Sequence, residues 1–287
     1  MRAQVQATIP LGPAEKKPLY SLIKDSARAV PSSPCLHYNG RTLDYSQVDD
    51  LSSRFARSLV TLGVKKGDRV AILMPNIPQF VIAYLGILQA GAVVVACNPL
   101  YKDGELEQQL RDSGAEVIAA TRDVVKGNDL YRSLEVVRTR LKLRHVITTS
   151  LTEYLPAAKR ALAPLAGVKN RPRVDTLDLK ELLSSSAPLE KPVSVDPTRD
   201  LALLQYTGGT TGTSKGAMLT HFNVYSMTVR GTSFLPLSPS DVFLAVLPLF
   251  LETSLPIVVT LVLTAVALLY AILRGSKGRA KEKGCCQ

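Results

Sequence analysis

Hydrophobic and polar positions follow a helical pattern in the first well-patterned part of the chain. Between residues 45 and 63, apolar side chains recur at steps of three and four, as on one face of an α-helix. The set is Val48, Leu51, Phe55, Leu59 and Leu62. Asp44 precedes this pattern and can cap the helix, and Gly63 follows it and can end the helix.

Short apolar runs alternate with further helical patterns downstream. We predict strands at 68–74, 92–98, 116–120, 145–150 and 201–206, and helices at 79–91, 105–113 and 129–141. Two shorter strands flank Asn39-Gly40, a pair that favours a tight hairpin turn because both residues tolerate positive φ. Regular alternation of strands and helices predicts an α/β fold with a parallel sheet and helices on its faces.

The domain boundaries follow changes in composition. Residues 1–33 are interpreted as an N-terminal extension and residues 34–250 as one domain. Within it, residues 184–200 are rich in Ser and Pro and are interpreted as a surface linker.

A Gly/Thr-rich stretch, LQYTGGTTGTSKGAMLTHFN, runs from Leu204 to Asn223. It lies between a predicted strand and a helix predicted to begin near Thr220. Glycines let consecutive N–H groups face one point, hydroxyls add donors, and Lys215 adds a positive charge, so the stretch suits a polyphosphate.

The stretch is not a Walker A loop, because Lys215 precedes glycine instead of following it. A flexible linker is the alternative, but a strand and a helix rarely frame one. The candidate phosphate-binding residues are Thr207, Gly208, Gly209, Thr210, Thr211, Gly212, Thr213, Ser214, Lys215 and Gly216.

This stretch resembles the phosphate-binding loop of the acyl-adenylate-forming (AMP-binding) superfamily. Ser214 stands where the common form has proline, which is similar to the long-chain fatty acid–CoA ligase branch. The upstream segment LGVKKGDRVAILMPNIPQFVIAYLGILQAGAVVVACNPLY is also similar to the start of those enzymes, and the resemblance covers roughly residues 20–250. It implies part of the N-terminal domain of an acyl-CoA synthetase.

The resemblance also implies a reaction. A long-chain fatty acid attacks the α-phosphate of Mg²⁺-ATP, giving acyl-AMP and pyrophosphate, and CoA then displaces AMP. The loop residues would wrap the phosphates and Lys215 would counter their charge. No residue is singled out as catalytic, and none as a metal ligand.

The chain departs from the family pattern after Phe250. Leu251 stands where the family has a histidine near the acyl pocket, and the family's later motifs have no matching residues. Two interpretations are therefore open. The chain is either the N-terminal portion of an acid–CoA ligase or a catalytically inactive nucleotide-binding fragment. A shifted reading frame after Phe250 is a third interpretation.

The C-terminal region is apolar and then basic. Residues 253–273 carry no charge over 21 positions, and a membrane helix needs about 20 such residues. A C-terminal membrane anchor is one interpretation, and a buried core helix is the other. The basic tail 274–287 ends near Cys285-Cys286, a pair that acylation could modify.

Composition narrows the functional class further. The net charge is +11, but the sequence contains no basic motif interleaved with aromatic residues and no zinc-finger spacing. We therefore do not predict nucleic-acid binding. Four cysteines without framework spacing fit a reducing compartment and predict a cytoplasmic protein, with tethering to a membrane as the open alternative. His221 is expected to be structural, and Cys35 and Cys97 to be small buried residues. The sequence indicates no oligomeric state.

Overall fold

A twisted seven-stranded sheet forms the centre of the protein, in a computed structural model that describes residues 15–207, 215–233 and 241–250. The helices are α1 (Ser21–Ala29), α2 (Tyr45–Thr61), α3 (Pro78–Gln89), α4 (Asp103–Ser113), α5 (Arg132–Val137), α6 (Ala157–Leu162), α7 (Leu179–Ser185) and α8 (His221–Ser233). The strands are β1 (Pro34–Tyr38), β2 (Arg41–Asp44), β3 (Arg69–Leu73), β4 (Val93–Cys97), β5 (Val117–Thr121), β6 (Asp123–Val125), β7 (Asn128–Asp129), β8 (His145–Thr149), β9 (Val168–Asn170), β10 (Leu177–Asp178), β11 (Leu201–Thr207) and β12 (Lys215–Thr220).

The sheet has the strand order β10-β8-β5-β3-β4-β11-β12. Every neighbouring pair is parallel except β11 and β12, which are antiparallel. One apolar core lies between this sheet and α1, α2, α3, α7 and α8, and a second lies beneath α4 and α5. The predicted α/β class, with helices on both faces of a mainly parallel sheet, is confirmed.

Local sequence signals explain the first elements. The backbone N–H of Gln47 donates to Asp44 Oδ1 at 2.8 Å, and the N–H of Asp44 donates to Gln47 Oε1 at 3.0 Å. This reciprocal capping box fixes the start of α2 where the sequence predicted it. Asn39 and Gly40 adopt φ values of 50° and 98°, as the predicted hairpin turn requires.

Helices α2 and α3 pack closely through small and polar side chains. Gln89, which is fully buried, donates through Nε2 to Ser52 Oγ at 2.8 Å and accepts from Ser53 Oγ at 2.9 Å. A β-carbon added at Gly86 would lie 2.8 Å from the backbone oxygen of Ser52. The two helices therefore approach too closely at this point for any side chain larger than hydrogen.

Some elements differ from the sequence-based expectation. Strand β12 was not predicted. The helix that follows it, α8, begins at His221, next to the predicted start near Thr220. The predicted helix 129–141 is shorter at both ends, spanning 132–137: β7 occupies residues 128–129, and turns follow from residue 138. Strands β6, β7 and β9 form a separate three-stranded sheet that the polar sequence did not suggest.

The predicted C-terminal elements lie outside the described residues. This applies to the apolar segment 253–273, the basic tail 274–287 and Leu251. Among the helices of the described ranges, none combines the length and apolarity needed to cross a bilayer.

Candidate phosphate-binding site

The Gly/Thr stretch closes a β-hairpin at the edge of the central sheet. Thr207, the last residue of β11, pairs with Lys215, the first residue of β12. The connecting residues Gly208, Gly209, Thr210, Thr211, Gly212, Thr213 and Ser214 lie outside the described residues. Because β11 runs parallel to β4, the hairpin end lies at the carboxyl edge of the parallel strands, where α/β sheets bind ligands.

Lys215 is the described cation nearest to this loop. Its side chain is exposed, and it forms no ion pair or hydrogen bond with any residue in the described part of the chain. No described carboxylate therefore competes with an anionic ligand for this side chain. That Lys215 meets phosphate stays a prediction from the sequence.

Gly216 has a structural reason to be glycine. It pairs across the hairpin with Tyr206, and a β-carbon at Gly216 would lie 3.0–3.3 Å from the phenol ring and hydroxyl. The hydroxyl of Tyr206 donates to Asp112 on α4, and burial together with this carboxylate raises the pKa of Tyr206. The ring is therefore held in place, and Gly216 leaves room for it.

Two amide side chains hold the segment 241–250 across the same edge of the sheet. Asn76, which follows β3, donates through Nδ2 to two backbone carbonyls of this segment at 2.8 and 3.0 Å. Gln205 on β11 donates through Nε2 to the carbonyl of Phe250 at 3.1 Å. Sequence reasoning did not identify Asn76 or Gln205, although an asparagine three residues after the end of a buried strand is a usable signal.

His221 has a structural role, as the sequence predicted. It is 0% exposed, and its Nδ1 accepts from the backbone N–H of Leu19 at 3.2 Å. Its ring meets Tyr20 edge to face, with centroids 6.1 Å apart. Burial lowers the pKa of His221 to about 4, so the imidazole is neutral at neutral pH.

The described cysteines are poor nucleophiles. Cys97 is fully buried on β4, as predicted, and burial raises the pKa of its thiol. Cys35 on β1 is partly buried, and burial raises the pKa of its thiol to about 12. Within the described ranges, no three His, Cys, Asp or Glu side chains cluster as metal ligands would.

The sequence of this chain is similar to known proteins over most of its length. Residues 23–275 match the family described as AMP-binding enzyme. The long-chain-fatty-acid–CoA ligase of Bacillus subtilis is 38% identical over 223 residues, which is 75% of this chain and 39% of the ligase. The ligase of the same name from Salmonella typhimurium is 37% identical over 223 residues, or 75% of this chain and 38% of that protein. The chain thus spans about two fifths of the length of these curated relatives.

Solved structures agree with the sequence relatives. A long-chain-fatty-acid-CoA ligase from Archaeoglobus fulgidus superposes with a TM-score of 0.69 at 25% identity, covering 88% of this chain and 46% of that one. The inhibitor-bound N-terminal domain of FACL13 from Mycobacterium tuberculosis gives a TM-score of 0.68 at 25% identity, covering 87% of this chain and 56% of that one. With the sheet, the hairpin and the matched residues 23–275 in agreement, the chain belongs to the AMP-binding enzyme family.

Proposed function

We propose that this chain binds the phosphates of ATP through the loop 207–216 and contributes that subsite to the activation of a long-chain fatty acid. Activation would give acyl-AMP and pyrophosphate, followed by transfer of the acyl group to CoA. The names of the relatives support the reaction class, since both curated proteins are called long-chain-fatty-acid–CoA ligases.

The single observation that carries the proposal is the hairpin geometry. It holds the two ends of the Gly/Thr stretch together at the carboxyl edge of the parallel sheet and leaves the charge of Lys215 unengaged by described residues. A positive charge placed in advance where negative charge accumulates stabilises a phosphoryl or nucleotidyl transition state. Lys215 would therefore favour pyrophosphate as it departs.

The donor set fits the triphosphate better than a protein-bound metal. The loop supplies hydroxyls, backbone N–H groups and one ammonium, and the described residues bring no carboxylate cluster to it. Mg²⁺ would then arrive as Mg²⁺-ATP, held by the phosphates themselves. Placement in the cytoplasm stays a prediction.

The test is pyrophosphate release by the full 287-residue chain with Mg²⁺-ATP, with and without palmitate. We expect release that depends on palmitate and that falls in Lys215→Ala. Lys142→Ala is the matched control, because Lys142 is an exposed lysine on the connection before β8 and its loss changes the net charge equally. Release that is independent of the acid, or equal in both variants, would contradict the proposal.

The second candidate is a nucleotide-binding protein without turnover. One observation favours it: apart from Lys215, the titratable side chains described near the hairpin make structural contacts. His221 is buried with Nδ1 occupied, and Asp112 is bonded to Tyr206. This candidate predicts ATP binding that requires Lys215, with no palmitate-dependent release of pyrophosphate.

A further inference from the structure

Helix α6 and the turn that follows it form an apolar piece of exposed surface. Residues 157–166 read AAKRALAPLA, which is eight apolar residues, two cations and no acid. Nine of these ten residues are exposed, and α6 itself buries no side chain. A helix of a globular protein normally turns an apolar face toward the core. The apolar side chains of this segment are instead available to a partner outside the described part of the chain.

Two leucines form the most apolar point of this segment. Leu162 is 58% exposed and Leu165 is 85% exposed. The backbone N–H groups of Leu165 and Ala166 both donate to the carbonyl of Leu162, at 3.1 and 3.2 Å. A tight turn therefore holds the two leucines close together, and hydrogen bonds of the backbone rather than burial of the side chains keep them there.

Four exposed cations flank the leucines. Lys159 and Arg160 precede them on α6, and Lys169 follows them on β9. The fourth, Lys126, comes from a distant part of the sequence, because β6 pairs with β9. The N–H of Lys126 donates to the carbonyl of Gly167 at 2.8 Å, which places it beside the turn. We call these four cations and the two leucines the α6 surface.

Described carboxylates do not neutralise the α6 surface. None of its four cations forms an ion pair with any residue for which the structure gives a position. Lys159 donates to the carbonyl of Asn39 at 2.7 Å, an uncharged acceptor that leaves the ammonium charge in place. The acids of the adjoining β7 and α5, Asp129 and Glu135, both pair with Arg171. Positive charge and exposed apolar surface therefore occur side by side.

We propose that the α6 surface binds an anionic lipid bilayer. Leu162 and Leu165 enter the boundary between the head groups and the acyl chains, and the surrounding cations meet the lipid phosphates. Amphipathic surface segments bind bilayers in this way, without spanning them. Each lysine or arginine close to an anionic membrane strengthens such binding by roughly fivefold.

The composition of the α6 surface favours a bilayer over a macromolecular partner. Protein interfaces are enriched in aromatic residues and depleted in lysine, whereas three of the four cations here are lysines and residues 155–173 contain no aromatic residue. Sites for single-stranded nucleic acid use aromatic side chains on which bases stack. Neither partner gives a role to exposed leucines among lysines, but a charged bilayer engages both kinds of side chain.

The test is the tryptophan fluorescence of the full-length variant Leu165→Trp. The wild-type chain contains no tryptophan, so the emission reports on this one position and not on attachment through another part of the chain. With vesicles of phosphatidylcholine and phosphatidylglycerol, we expect the emission to shift to shorter wavelength and to be quenched by brominated acyl chains. Vesicles of phosphatidylcholine alone should cause neither change. If circular dichroism shows that this variant is not folded, Leu162→Trp replaces it.

Val60→Trp is the matched reporter control. Val60 is 37% exposed and lies near the end of α2, which leads into the amino end of β3, whereas α6 follows the carboxyl end of β8. Because β3, β5 and β8 are parallel, the two reporters lie at opposite edges of the sheet. The emission of Val60→Trp should therefore change little with either kind of vesicle.

Charge reversal tests the role of the cations. In the Leu165→Trp protein, Lys169→Glu should weaken binding to the anionic vesicles by at least about fivefold. Lys142→Glu changes the net charge equally, but Lys142 precedes the amino end of β8 and lies away from the α6 surface. Its effect should be much smaller.

Three results would overturn the proposal. The first is an emission of Leu165→Trp that anionic vesicles do not shift, including the case in which polyglutamate shifts it, which would indicate an acidic protein partner. The second is an equal shift with phosphatidylcholine alone, which would remove the role of the cations. The third is equal weakening by Lys169→Glu and Lys142→Glu, which would show that only the net charge of the chain matters.

Discussion

The close contact between α2 and α3 predicts that a side chain added at Gly86 lowers the free energy of unfolding. A β-carbon at Gly86 would lie 2.8 Å from the backbone oxygen of Ser52 and 2.8 Å from Cδ1 of Phe55. The first neighbour is backbone and the second is a fully buried ring, so neither can move aside without disturbing α2. Overpacking of this kind costs about 1–3 kcal/mol.

The opposing effect is the preference of alanine for helical backbone. Replacing a helical glycine with alanine gains about 0.5–1 kcal/mol. Because the clash at Gly86 involves backbone, we expect the strain to exceed this gain and Gly86→Ala to lower the free energy of unfolding by about 1–2 kcal/mol.

Gly104 provides the matched control for this measurement. It lies on α4, and an added β-carbon there would meet nothing within 4 Å. Gly104→Ala should therefore be neutral or stabilising by up to about 1 kcal/mol. Urea unfolding of the three proteins, followed by circular dichroism, compares them directly. If Gly86→Ala proved as stable as Gly104→Ala, the close approach of α2 and α3 would be refuted.

Three further variants test other parts of the structure. Gly216→Ala should lower the free energy of unfolding by about 1 kcal/mol, since its methyl group must displace the ring of Tyr206, and unchanged urea stability would contradict that packing. Ser52→Ala should cost about 1–3 kcal/mol, because it leaves the buried Nε2 of Gln89 without an acceptor, and a neutral effect in the same assay would argue against that hydrogen bond. The pKa of His221 falls from 6.5 to about 4 on folding, so the free energy of unfolding of the wild type decreases as the pH drops from about 6.5 to about 4. His221→Asn should remove this dependence of stability on pH. Parallel pH profiles of stability for wild type and variant would show this expectation to be wrong.

Much of the fold could be predicted because its signals are local. The capping box at Asp44 and the Asn39-Gly40 turn act within a few residues, and the buried parallel strands are short apolar runs. Such features depend on the backbone preferences and the hydrophobicity of neighbouring residues, so they can be predicted from a short stretch of sequence.

The elements that were missed depend on distant partners. Strand β12 contains Gly216 and has largely exposed positions, and it becomes a strand because β11 is available to pair with it. The docking of the Ser/Pro-rich segment 184–200 is similar. Val193 donates its N–H to the carbonyl of Gln89 at 2.8 Å, a contact between residues more than 100 positions apart. No local pattern encodes a pairing of that kind.

The candidate site was predicted in the same uneven way. The Gly/Thr pattern singled out the loop 207–216 and Lys215 as phosphate-binding candidates, because glycines, hydroxyls and a lysine have recognisable chemistry together. It did not predict that the loop closes a hairpin, and the phosphate role stays a prediction. The amides that hold segment 241–250 against the sheet, Asn76 and Gln205, were missed. Their partners are backbone carbonyls, which any sequence would supply.

The measurement that tests the central claim most directly is the affinity for Mg²⁺-ATP of the wild-type chain, Lys215→Ala and Lys142→Ala, determined by titration calorimetry. The account predicts that Lys215→Ala weakens binding by about 1.5–3 kcal/mol, the contribution of a charge-assisted phosphate contact. It predicts that Lys142→Ala binds as the wild type does. Equal affinity in all three proteins would contradict the assignment of the loop 207–216 as the phosphate-binding site.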